Sequence, residues 1–303
     1  MFGVVARGAL AVLRRVPYRG LRVFFRLAVV PIAHLMFARA AEQNLITAFG
    51  DQLTPDERRQ IIRRMFRGMA AMPAEILAIA RVGAPFVQRL FADDPGIERW
   101  RALQRECGGV IAISGHIANW EALLQWLHLR GERPFGGAVA KRVPNPRLNR
   151  LVEEIRGCLG VPTLYGDTGV LKLARTVSDG RALGIVPDQD IEKLGGAFID
   201  FFGRPAYTPT GPARLALATG APLVVVFCLR VGDRLQSVIN DPIYPDRKAP
   251  REAEIVRLTS AWCRQMEDHL RAHPEQWLWF HDRWATTPEK IAARAVETTA
   301  PPS

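Results

Sequence analysis

The hydrophobic period of the chain changes near residue 105. Before it, apolar residues recur at helical spacing; after it, short apolar runs alternate with amphipathic segments. The runs 108–114, 136–140, 161–164, 182–186, 223–229 and 235–239 read as strands. Segments 119–130, 146–158, 168–178 and 209–219 read as helices between them. The alternation predicts an α/β fold, a mixed sheet flanked by helices with some parallel pairing. Upstream, Thr54 with Glu57 three residues on is a capping-box signature and Pro55 suits the first helical position. That helix is expected to run to about Ala71, with Pro73 restarting another through Ala80. Residues 250–272 form an amphipathic helix, and 286–303 look like a frayed tail. The resulting organisation is a helical, membrane-associating extension over 1–104, an α/β core over 105–288 and a tail over 289–303, one functional domain in all.

Residues 23–38 are apolar, interrupted by Arg26, His34 and Pro31. The uninterrupted part, Leu27 to Ala33, falls short of the ~20 residues of a spanning helix. No small-residue cleavage site follows, so a secretory signal is not expected. Arg7, Arg14, Arg15, Arg19, Arg22, Arg26 and Arg39 surround the segment, with no acid before Glu42. An apolar helix in a basic setting reads as an in-plane membrane anchor facing anionic lipid. A tilted span and a buried core helix are the alternatives. The whole chain is basic too: Lys+Arg 41 against Asp+Glu 30 gives +11. That favours polyanionic partners, but without aromatic interleaving or a known motif it does not indicate nucleic acid. Cys107, Cys158, Cys228 and Cys263 lie at no metal-ligand spacing and read as small core hydrophobes; no metal is expected.

Chemistry concentrates after the strand 108–114, in Ser114-Gly115-His116-Ile117-Ala118-Asn119-Trp120-Glu121. A His just past a strand's carboxyl end sits where open α/β sheets place ligands. Glu121, in the first turn of the next helix, is close enough to fold back onto the imidazole. A carboxylate on one ring nitrogen fixes the tautomer and steadies the cation formed when the other takes a proton. The competing reading is a surface His beside a helix-capping Glu. A His-Glu-x-x-His motif, a Gly-x-Ser-x-Gly elbow and a P-loop are all missing, and Ser114 reads as structural. Pro187-Asp188-Gln189-Asp190 again follows an apolar run, where acids orient arginines, bind metal or start a turn. Arg156, Lys141 and Arg142 are candidates for phosphate or carboxylate contacts. Trp277, Trp279, Phe280 and Trp284 suit core or membrane-interface packing.

Together, VPYRGLRVFF (16–25), AEQNLITAFGDQLTPDERRQI (41–61), GHIANWE (115–121), KRVPNPRLNRLVEEIRGCLG (141–160), VPDQD (186–190), the segment 201–227 and PEQWLWFHDRW (274–284) resemble the late acyltransferases of lipid A biosynthesis. These form the lauroyl/myristoyl transferase family, within the His-x4-acid lysophospholipid-acyltransferase superfamily. The resemblance covers about residues 17–288. Asp282 departs from it, where a basic residue is more usual.

The resemblance implies His116 as general base and Glu121 as its partner. It also implies that Arg156 and Asp188 support the site by binding or orienting substrate; Asn119, Asp190, Lys141 and Arg142 are further candidates for substrate binding or support. It implies no cofactor, acyl carrier protein or CoA thioester as donor, and a glycolipid hydroxyl as acceptor, at the cytoplasmic face of the inner membrane. A related branch acylates mannosylated phosphatidylinositol from acyl-CoA. An esterase using water, or a lipid-binding protein without catalysis, are the competing functions.

Overall fold

The computed structural model describes residues 13, 15–166 and 169–291. Arg7, Arg14, Thr168 and the tail beyond residue 291 lie outside them.

Two long helices open the described chain, α1 (Tyr18–Phe49) and α2 (Pro55–Val82). The capping box forms as expected: Glu57 N–H donates to Thr54 Oγ1 at 3.3 Å and Thr54 N–H to Glu57 Oε2 at 2.7 Å. Both helices run further than expected. Pro31 and Pro73 lie inside them and end neither. A helical proline forfeits one backbone hydrogen bond and crowds the preceding turn. At Pro73 the flanking Ala70, Ala71 and Ala74 are buried, and this packing offsets the loss. The 32 residues of α1 extend about 48 Å. With a mean hydropathy of 1.7 over its most apolar window, the helix is long and apolar enough to cross a membrane. Up to residue 36 it leaves Phe24, Leu27, Leu35 and Met36 exposed, whereas Ala41, Leu45, Ala48 and Phe49 are buried in the core.

After the short helices α3 (Ala84–Leu90) and α4 (Ile97–Cys107) the α/β core begins. Its elements are β1 (Val110–Ile113), α5 (Trp120–Arg130), β2 (Phe135–Ala140), α6 (Pro146–Arg156), β3 (Thr163–Tyr165), α7 (Val170–Ser178) and β4 (Ala182–Ile185). A hairpin follows, β5 (Gly196–Phe201) and β6 (Arg204–Pro209), then α8 (Gly211–Thr219), β7 (Leu223–Val231), β8 (Arg234–Ile239) and α9 (Arg251–Ala272). The six-stranded sheet has the order β3-β2-β4-β1-β7-β8, parallel except for the antiparallel β7–β8 pair.

Alternation along the strands divides the core between the faces of the sheet. Ile111, Ile113, Leu183, Val225 and Phe227 join the core that contains α1, α2, α8 and α9. Val110, Ala112, Ala182, Val224 and Val226 join the core with α3, α4 and α5. Burial on both faces is why these strands read as unbroken apolar runs. The β5–β6 hairpin is an addition to the sequence reading. Its two-residue turn, Phe202-Gly203, has both residues at positive φ (57° and 73°), as a tight hairpin requires. Cys228 and Cys263 are buried as expected, but Cys107 is half-buried and Cys158 exposed.

Candidate active site

Strand order sets the site. β1 and β4 lie side by side, with Ile113 opposite Ile185. Ser114 N–H extends the pairing to Ile185 O at 2.9 Å. Three residues past each register partner come His116 and Asp188, and they meet. His116 Nδ1 lies 2.7 Å from Asp188 Oδ1, and the His116 backbone N–H donates to Asp188 Oδ2 at 2.8 Å. Trp277 Nε1–H donates to the same Oδ2 at 2.8 Å. The Asp188 carboxylate is fully buried and held by three donors. Among the described residues His116 Nε2 has no hydrogen-bond partner, and the side chain is partly exposed.

Burial alone would raise the Asp188 pKa. The facing imidazole, its hydrogen bond and the Trp277 N–H overcome this and bring it down to about 2. For His116, burial pulls the pKa down, and the charge and hydrogen bond of Asp188, helped by Glu121, raise it above its usual value.

The turn between β1 and α5 aims the imidazole. A Cβ on Gly115 would stand 2.8 Å from Met266 Cε and 3.3 Å from Asp188 Oδ2, so only glycine fits there without displacement. Ala118 adopts φ 45°, a strained conformation for a residue with a Cβ. Its N–H is held by Gln276 O at 2.8 Å, and Ile117 bridges to Trp277. Asn119 then caps α5, accepting from Ala122 N–H at 2.9 Å while its amide donates to Glu75 Oε2 at 2.8 Å. Glu75 is wholly buried on α2 and also receives Arg230 Nη2–H at 2.8 Å. The loop carrying His116 is thereby tied to a helix more than forty residues upstream.

Glu121 is not the hydrogen-bonding partner of the imidazole. Asp188 occupies that place, and Glu121 instead accepts from Arg156 Nε at 2.7 Å. The first turn of α5 directs Glu121 toward the end of α6, where it forms the head of a cavity of about 270 Å³ with Arg156 and Gln125. Met72, Ile76, Ile79 and Val152 make its apolar walls. Asp190 holds the carboxyl-terminal segment, accepting from Thr286 N–H at 2.7 Å and Thr286 Oγ1–H at 2.8 Å. Lys141 and Arg142 are exposed, and the Arg142 guanidinium stacks over the Tyr165 ring at 3.9 Å. Trp277 and Trp279 are buried and Asp282 is exposed. Sequence reasoning missed the bonds of Trp277 and Glu75; the block PEQWLWFHDRW was the only signal at Trp277.

The sequence profile described as bacterial lipid A biosynthesis acyltransferase matches residues 3–286. The chain belongs to that family. The chain is similar to characterised acyltransferases of two kinds. The chain is 25% identical over 268 residues to the lipid A biosynthesis palmitoleoyltransferase of Escherichia coli, covering 82% of this chain and 78% of that protein. It is 25% identical over 273 residues to the lauroyltransferase of the same organism, covering 85% and 82%. It is also 29% identical over 189 residues to the phosphatidylinositol mannoside acyltransferase of Mycolicibacterium smegmatis, covering 61% of this chain. The match spans about three-fifths of that mycobacterial protein, 59% of its length.

Proposed function

We propose that the protein moves a fatty acyl group from a thioester, on acyl carrier protein or coenzyme A, to a hydroxyl of a glycolipid such as a lipid A precursor. The observation that carries this is the partly exposed His116 imidazole with Nδ1 held by a buried carboxylate. His116 Nε2 takes the proton of the acceptor hydroxyl as its oxygen attacks the thioester carbonyl. Asp188 holds the tautomer and balances the imidazolium. The positive end of α5, just past His116, favours the negative charge on the tetrahedral oxygen. Collapse breaks the carbon–sulfur bond, and the proton on His116 passes to the leaving thiolate. The family match and the names of the relatives support this reaction class.

In this reading the apolar cavity beneath Glu121 and Arg156 receives the acyl chain. Filling it by Ile76→Trp is expected to move donor preference to chains several carbons shorter, read from competing acyl thioesters of graded length. An unchanged preference would remove the cavity from this role. Glu121→Gln breaks the ion pair with Arg156 without touching the Nδ1 bond. It is expected to lower kcat/KM by roughly tenfold, well short of a loss of the base, and an effect equal to that of Asp188→Asn would return Glu121 to the dyad.

The exposed apolar half of α1, set among arginines, supports docking on the cytoplasmic face of the inner membrane. The reading is tested with purified protein, labelled acyl carrier protein or acyl-CoA, and a panel of acceptors. Label in an ester of a glucosamine lipid is expected. The identity to the mycobacterial protein supports a second acceptor class, mannosylated phosphatidylinositol, and the same panel separates the two. Label recovered only as free fatty acid would mean hydrolysis and defeat the proposal.

A further inference from the structure

A second cavity, of about 520 Å³, opens between the amino-terminal half of α1 and the middle of α2. Five arginines line it: Arg22 and Arg26 from α1, Arg64 and Arg67 from α2, and Arg230 near the end of β7. Two are already paired, Arg22 with Asp233 at 2.6 Å and Arg230 with Glu75 at 2.8 Å. Arg26, Arg64 and Arg67 have no carboxylate partner among the described residues, and Glu275 is the only acid in the lining. Like charges gathered in a concave site repel one another and concentrate positive potential where an anion would relieve it.

The inner wall of this cavity is the catalytic turn itself, Ala118 and Trp120. Trp120 packs edge-on to His116, ring centroids 4.7 Å apart, and lines the apolar cavity as well. The basic and the apolar cavity therefore share a residue that touches the imidazole. The same amino-terminal stretch of α1 that supplies Arg22 and Arg26 also exposes Phe24 and Leu27, and Met65, Met69, Met72 and Leu278 add apolar surface to the lining.

We propose that this basic cavity binds a phosphate group on the headgroup of the acceptor lipid and so positions its hydroxyl at His116. Guanidinium forks match phosphate oxygens two at a time, which a flat anionic surface does not demand. The word acceptor rests on the acyl-transfer reading above; phosphate recognition by the cavity does not.

The test measures binding rather than turnover. Full-length protein in neutral detergent is titrated with a diphosphorylated, acylated glucosamine disaccharide and with the same lipid after phosphatase treatment. Acyl-CoA and phosphatidylglycerol vesicles are titrated in parallel. Wild type is expected to prefer the phosphorylated lipid by at least tenfold. The double variant Arg64→Gln/Arg67→Gln is expected to lose that preference, and Arg64→Lys/Arg67→Lys to keep part of it. Gly68→Glu is an independent probe: nothing lies within 4 Å of a Cβ there, and the new carboxylate would enter the cavity. It too is expected to abolish the preference.

Equal wild-type affinity for the two lipids overturns the proposal. So does a double variant that keeps the lipid preference while losing only acyl-CoA, which would make the cavity a donor site, or only vesicles, which would make it a membrane contact. A phosphate preference that depends on Arg64 and Arg67, found in a protein that transfers no acyl group, would uphold the cavity and refute the reaction.

Discussion

Replacing His116 by alanine is expected to lower acyl transfer by ~10²–10⁴-fold, the range lost with a general base. Asp188→Asn is expected to fall in the same range or beyond it, although the imidazole remains. An orienting carboxylate fixes which ring nitrogen carries the proton, and its amide isostere imposes the wrong tautomer at a cost of about 10⁴ in the serine-protease triad. The two variants also separate on a pH axis. In the proposed reaction His116 acts as a base only when neutral, and its pKa is raised above 6.5 chiefly because Asp188 outweighs the effect of burial. The acid limb of kcat/KM in wild type is therefore expected above pH 6.5. In Asp188→Asn the charge is gone and burial dominates, so the residual activity should have its acid limb at lower pH. A limb that does not move, or an Asp188→Asn enzyme within twofold of wild type, would sink the dyad.

Glu75→Ala is expected to be the most destabilising single change at the site. Glu75 is fully buried and meets Arg230 Nη2 at 2.8 Å, Asn119 Nδ2 at 2.8 Å and the Tyr18 hydroxyl at 3.3 Å. Removing one member of a buried ion pair strands the other, at about 3–5 kcal/mol. At roughly 2–4 °C per kcal/mol for a domain of this order of size, the melting temperature should drop by about 10 °C. Glu75→Gln, which keeps an acceptor for Asn119, should lose less. Thermal unfolding followed by circular dichroism settles it: a Glu75→Ala protein melting within 2 °C of wild type would mean that the network contributes little. Asn119 caps α5, so activity at temperatures well below the transition should fall as well.

The layered α/β architecture was legible because β1, β4 and β7 are buried on both faces and appear as plain apolar runs. His116 was legible because it follows such a run directly. Its partner was not. Glu121 is five residues away and drew the eye, whereas Asp188 lies 72 residues away and reaches the ring only because β4 inserts between β1 and β2. Periodicity reveals strands but not their lateral order, so by its residues alone Asp188 reads first as the start of a turn, ahead of an Arg-orienting or metal-binding role. The β5–β6 hairpin escaped notice because Pro205 and Pro209 sit in β6 and its turn holds a phenylalanine at positive φ. Pro31 and Pro73 misled in the opposite direction. The local cost of a helical proline is visible in sequence, and the tertiary packing that offsets it is not.

The bond from Trp277 to Asp188 spans 89 positions, and it closes a site whose imidazole stands at residue 116. A ribosome would therefore release the histidine long before the groups that make it basic. Contacts between residues so far apart in sequence are also among the slower to form. A nascent, misfolded or nicked chain would carry the whole GHIANWE block yet have no activated imidazole. On the proposed reaction, unfinished molecules would then be unable to spend the acyl donor before the segment carrying Trp277 has docked.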